Sequence, residues 1–191
     1  MYWILKLFAA FVSRRSDNGL DRIAGFLAIL TFDLFRLRRG LILKNLRLAY
    51  PEKTEAERVQ IGRASMKNFA MTALEFFRSQ GTDIAARVEM KGLEHVRKAL
   101  EKGQGVYILC FHLGNWEAMG GAVTRHIAPA YVLVKKVGSS SVDKFVSELR
   151  DKNGFLTVKR RKKGDGYAAI KEILARNEIV GFVMDQARPG E

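Results

Sequence analysis

The sequence predicts an α/β protein: a mainly parallel central sheet flanked by helices, preceded by a hydrophobic and basic helical region. Three observations predict it. From Val88 onward, short and often β-branched apolar runs alternate with helical segments, the pattern of βαβ units. Before that, a long helix is announced by Pro51 and by Thr54 with Glu57, a T-x-x-E capping box. The first 47 residues are apolar stretches punctuated by cations. At 191 residues, with 48% hydrophobic and 28% charged residues, the chain has the means to bury a core.

The apolar stretches 1–12 and 23–35 are broken by Lys6 and Asp33, so neither reaches the run of about 18 apolar residues that a spanning helix needs. They read as interfacial or re-entrant segments, or as helices packed on the protein's own core. No basic region precedes the first stretch and no small-residue cleavage site follows it, which argues against a removable signal. Arg36, Arg38, Arg39, Lys44 and Arg47 cluster beside apolar residues and suit an anionic bilayer surface. The expected organisation is therefore a membrane-associating helical region over 1–47 and an α/β domain over 48–191.

The helix after Thr54 runs towards Gly81, with Met66, Phe69, Ala70, Ala73 and Phe77 as its expected apolar face. Strands are expected over 106–111, 131–134, 155–158 and 179–184, and helices over 116–126, 142–152 and 167–176. The sequence stops after the last strand without the helix that would cover it, so the domain reads as incomplete at its carboxyl end.

The net charge of +13 favours polyanionic partners: nucleic acid, anionic lipid, a phosphorylated small molecule or an acidic carrier protein. No nucleic-acid motif is present, and aromatics do not interleave with the basic runs as a base-stacking surface requires. The single cysteine, Cys110, excludes an intrachain disulfide and a CxxC metal site. His95 and His126 have no second ligand at metal spacing, and neither a dinucleotide fingerprint nor a P-loop occurs, so no metal or cofactor is expected.

FHLGNWE, over 111–117, leaves a buried strand and enters a helix, where open parallel sheets place their sites. Asn115 is a good N-cap, and Glu117 falls in the first turn beside free N–H groups. On a continuous helix His112 and Glu117 would lie about 140° apart, but a turn between strand and helix can fold the carboxylate back onto the imidazole. An imidazole so held can take a proton from a hydroxyl. A structural histidine at a strand end is the other reading. Cys110 shares a strand face with His112, which invites a Cys/His nucleophile, although a cysteine in an apolar run is usually core. Asp185 and Gln186 end the last strand at the same sheet edge, either to position an acceptor or loop or as a polar strand end. The cations over 159–163 leave that edge too, as ligands for phosphate or an acidic carrier, or as a solvated loop.

FHLGNWE resembles the H-x4-E signature of the bacterial lipid A biosynthesis acyltransferases, the lauroyl and myristoyl transferases, and their relatives that acylate other glycolipids. KNLRLAYPEKTEAER is similar to that family's N-L-x3-F-P-E segment, followed by Glu75 and Arg78, by VEMKGLEHV, by Arg150 with Gly154, and by Asp185-Gln186. The chain departs from the family at Lys135-Lys136-Val137-Gly138, where an arginine and an Asn-Pro-containing loop are usual. The resemblance implies an O-acyltransferase with a fatty acyl thioester donor, acyl carrier protein or acyl-CoA, and a glycolipid hydroxyl as acceptor. It implies His112 as general base, Glu117 as its partner and Arg150 in support; Asn115, Asp185, Gln186 and Lys135 are expected as supporting or substrate-binding residues. The expected location is the cytoplasmic face of the inner membrane. The acceptor is a lipid A precursor or another membrane glycolipid or phospholipid such as a phosphatidylinositol mannoside. Oxyanion donors are either N–H groups after Asn115 or the Arg150 guanidinium. A non-enzymatic basic protein binding anionic membrane or nucleic acid is the competing function.

Overall fold

The computed structural model describes residues 1–134, 136–159 and 165–185. The chain forms two compact units, one of residues 1–13 with 76–191 and one of residues 14–75, so the boundary at 47 drawn from the sequence falls inside the second.

In the first unit lie α1 (Tyr2–Ser13), a 3-10 turn (Ala85–Arg87), α5 (Leu93–Leu100), β1 (Val106–Cys110), α6 (Trp116–His126), β2 (Ala130–Val134), α7 (Ser140–Lys152), β3 (Leu156–Lys159), α8 (Asp165–Ala175) and β4 (Ile179–Val183). The four strands are all parallel, in the order β1-β4-β2-β3. The chain thus leaves a slot between β1 and β2 that β4 fills last. Right-handed crossovers place α6 and α7 on one face of the sheet and α8 on the other, because β4 is reached in the opposite direction. Every expected strand and helix of this region forms, with ends displaced by one or two residues.

Beneath α6, Val123, Ala130 and Ile179 form a buried cluster with Ile108, Met119 and Val106 packed on it. Gly120 lets the Phe155 ring lie against α6, because a Cβ there would collide with it. A second cluster joins α1 to α7 through Ala9, Phe145 and Leu149, with Tyr2, Leu5, Phe76 and Phe77 against it. The first apolar stretch therefore does bury one face on the protein's own core. Its other face is open, with Trp3 75%, Ile4 65% and Leu7 72% exposed.

The second unit contains α2 (Asp17–Ala28), a π-helical turn (Ile29–Leu34), α3 (Arg39–Ala49) and most of α4 (Glu55–Arg78). The capping box forms as read: Glu57 N–H donates to Thr54 Oγ1 at 3.3 Å, and Thr54 N–H to Glu57 Oε2 at 2.7 Å. Asp33, which interrupts the apolar stretch, accepts from Arg39 at 2.9 Å and from Arg63 at 2.6 and 3.1 Å. The Arg63 hydrogen bond, with Arg39 behind it, outweighs partial desolvation and lowers the pKa of this carboxyl. The face α4 buries matches the expected one only in part: Phe77 packs on the core, but Gly62, Thr72 and Leu74 are the buried positions and Phe69 is 61% exposed. Phe32 explains Gly62, because a Cβ at 62 would stand 2.6 Å from its ring. No helix among the described residues is long and apolar enough to cross a membrane.

Candidate active site

In a parallel sheet all strands end at one edge, so the residues that follow them converge there whatever their separation in sequence. β1 and β4 are hydrogen-bonded neighbours with Cys110 opposite Val183. The ladder continues one step further as Met184 N–H donates to the Cys110 carbonyl at 3.1 Å. His112 and Asp185, two residues beyond the Cys110–Val183 pair, are thereby brought face to face.

The contact is double. One oxygen, Asp185 Oδ1, accepts the His112 backbone N–H at 3.1 Å and lies 2.9 Å from the ring Nδ1. A carboxylate can only accept, so Nδ1 carries the proton and Nε2 is left as the basic nitrogen. Partial desolvation pushes the Asp185 carboxyl up, but the hydrogen bonds from the His112 ring and amide prevail and lower its pKa. Trp116 meets the imidazole edge-on, with ring centroids 4.9 Å apart. The two side chains are about one-third exposed, at 31% and 30%, and are thus open to a reactant. Phe111 and Leu113, at 60% and 84% exposed, make apolar lips on either side of the histidine.

The turn that follows depends on Gly114, whose φ of +62° favours glycine, and on Asn115, whose side-chain oxygen accepts the Ala118 N–H at 3.0 Å. The cap starts α6 and sends Glu117 inward, where its side chain is 9% exposed. Arg150 of α7 grips it with both arms of the guanidinium, Nε to Oε2 at 2.9 Å and a terminal nitrogen to Oε1 at 2.5 Å. This is a fork-to-carboxylate geometry that lysine cannot reproduce.

The expected contact between His112 and Glu117 is therefore replaced by two pairs: no hydrogen bond joins these residues, and each has another partner. Arg150 engages the Glu117 carboxylate, and strand register supplies Asp185 to the imidazole instead. The signal for it was the acidic residue after β4, already placed at the same edge from the sequence. Arg150 and Asn115 sit within the same constellation. Lys135, Gln186 and the cations over 160–163 lie outside the described residues.

Cys110 turns its thiol to the Phe182 carbonyl at 3.1 Å, and desolvation, with the nearby Asp185 charge, raises its pKa. Both effects oppose a thiolate nucleophile. Among the described residues no group of three or more His, Cys, Asp and Glu is placed to hold a metal ion. A narrow apolar cavity of about 40 Å³ lies behind Trp116, between α6 and the sheet, bounded by Ile108, Met119 and Gly181. The larger cavity, about 350 Å³ and lined by Thr82, Thr124, Arg125 and Lys152, opens at the opposite edge of the sheet and holds none of these residues.

At the carboxyl edge of the parallel sheet the imidazole thus has Nδ1 held by a carboxylate, and among the described residues Nε2 has no hydrogen-bond partner, an arrangement chemically able to accept a proton. The chain belongs to the bacterial lipid A biosynthesis acyltransferase family, whose model matches residues 1–189. It is thus an acyltransferase of lipid A, and hence lipopolysaccharide, biosynthesis. No curated protein matches it.

Proposed function

We propose that this protein moves a fatty acyl group from a thioester, on acyl carrier protein or coenzyme A, to a hydroxyl of a lipid A precursor, with His112 as general base. The observation that carries the reading is the double hydrogen bond from His112 to Asp185, which engages Nδ1 and leaves Nε2 without a partner among the described residues.

Nε2 takes the proton of the acceptor hydroxyl as its oxygen attacks the thioester carbonyl, and Asp185 stabilises the imidazolium that forms. The tetrahedral intermediate collapses by breaking its C–S bond, and the imidazolium returns the proton to the departing thiolate. No covalent enzyme intermediate is needed. Because Arg150 is committed to Glu117, the amino end of α6 is the favoured source of oxyanion stabilisation, through its N–H groups and positive dipole end. Glu117 acts through Arg150, fixing the start of α6 against α7.

The same reading puts the enzyme on the cytoplasmic face of the inner membrane. Support comes from the open apolar face of α1 at Trp3, Ile4 and Leu7, followed by Arg14 and Arg15. An acidic acyl carrier protein suits the net charge of +13.

The test is transfer from lauroyl-acyl carrier protein to a lipid A precursor, followed by mass spectrometry. Loss of product in His112→Ala is expected, and undiminished transfer by that variant refutes the assignment. Salt titration of binding to DNA and to anionic vesicles tests the non-enzymatic reading: steep salt dependence on both, without transfer, would favour it.

A further inference from the structure

The amino-terminal helix is built into the catalytic unit rather than attached to it. Residues 1–13 pack with 76–191, although 62 residues of the other unit, 14–75, intervene in the chain. Contacts along its whole length fix α1. At its start, Tyr2 OH donates to Glu148 Oε2 at 2.5 Å, and Lys6 Nζ lies 3.1 Å from the same oxygen. At its middle, Ala9 is fully buried against Phe145 and Leu149, with Phe77 stacked on Phe145 at 5.5 Å. At its end, Ser13 comes so close to Gly81 that a Cβ there would stand 2.8 Å from the serine Cβ.

Phe145, Glu148 and Leu149 recur at helical spacing and form the face of α7 turned to α1. Arg150 is next in the chain, about 100° further round the helix, and points to Glu117 of α6 instead. One helix is therefore gripped on one side by α1 and on the other grips the start of α6, the turn on which His112 sits.

We propose that α1 is a positioning element for the active site: its clamp on α7, made by Tyr2 and Lys6 on Glu148 and by Ala9 under Phe145 and Leu149, holds Arg150 on Glu117. This rests on the acyl-transfer reading above, and it gives the first helix a task besides meeting a bilayer.

The test uses the full chain with lauroyl-acyl carrier protein and a detergent-dispersed lipid A precursor, so that vesicle binding plays no part. Small displacements of reacting groups are costly, so Glu148→Ala is expected to lower kcat about tenfold with the donor KM unchanged. Tyr2→Phe, which removes one hydroxyl and does not threaten folding, should lower kcat by a smaller factor in the same pattern. Because the clamp acts through Arg150, Glu148→Ala added to Arg150→Lys should lower kcat no further than Arg150→Lys alone. Amide hydrogen exchange over 116–126 and 140–152 should quicken in Glu148→Ala. Unchanged kcat and exchange in Glu148→Ala, or multiplicative losses in the double variant, would overturn the proposal. If the unaltered protein transfers no acyl group while exchange still responds, the acyl-transfer reading falls and the mechanical link stands.

Discussion

Replacing Asp185 by asparagine tests how the histidine is oriented, and the geometry sets the size of the effect. A single oxygen of Asp185 accepts both from the His112 amide and from its ring. The asparagine carbonyl can occupy that position and keep both bonds, so the tautomer with Nε2 free survives and only the negative charge is lost. A hydrogen bond to a charged acceptor contributes about 1.5–3 kcal/mol against about 0.5–1.5 for a neutral one, a difference of about 1–2 kcal/mol. That corresponds to a decrease in kcat of about 5- to 30-fold. Asp185→Ala removes the acceptor altogether, frees the ring, and should cost about a hundredfold, within the range for loss of general-base catalysis. His112→Ala should be the most severe of the three. The assay is steady-state transfer from lauroyl-acyl carrier protein at saturating acceptor, with thermal melts to confirm that each variant folds. If Asp185→Ala retained half or more of the activity, Asp185 would not orient the base. If Asp185→Asn were as damaging as Asp185→Ala, the argument from the shared oxygen would fail.

Three further outcomes follow from named contacts. Arg150→Met strands the buried Glu117 carboxylate and should cost about 3–5 kcal/mol in urea unfolding, most of which Glu117→Leu added to it should restore. Gly62→Ala puts a methyl into the fully buried Phe32 ring and should destabilise residues 14–75 by about 1–3 kcal/mol, read as lost hydrogen-exchange protection there. Asp33 has a folded pKa below its ordinary value of 3.8, so its stabilisation is present above that value and disappears as the pH falls through the lowered one. Asp33→Asn should therefore be less stable than the unaltered protein at neutral pH, and the two should converge in acid.

The α/β core was legible because its signals are local. Strand periodicity and the glycine and asparagine breaks located four strands and the helices between them, and Thr54 with Glu57 announced α4 through a bond that spans three residues. That His112 and Asp185 share an edge was legible for a related reason: in a parallel sheet, residues after strand ends converge whatever the strand order. Which carboxylate would meet the imidazole was not. Pairing His112 with Glu117 rested on the turn between strand and helix and on the family's H-x4-E signature, whereas the carboxylate that meets the imidazole is 73 residues away and arrives because β4 inserts beside β1. The apolar face of α4 was read only in part for the same reason: Phe77 packs as expected, but Gly62 is buried by its distant neighbour Phe32, not by its own periodicity.

By itself, then, the sequence determined the elements, the sheet edge that His112 and Asp185 share and, through FHLGNWE, the family. The tertiary structure alone decided which carboxylate meets the imidazole, that Arg150 engages Glu117, and that the first helix packs with residues 76–191. The physical reason is range: helix caps and strand periods are written in neighbouring residues, while strand order and helix docking are settled by packing between segments that only the folded chain brings together.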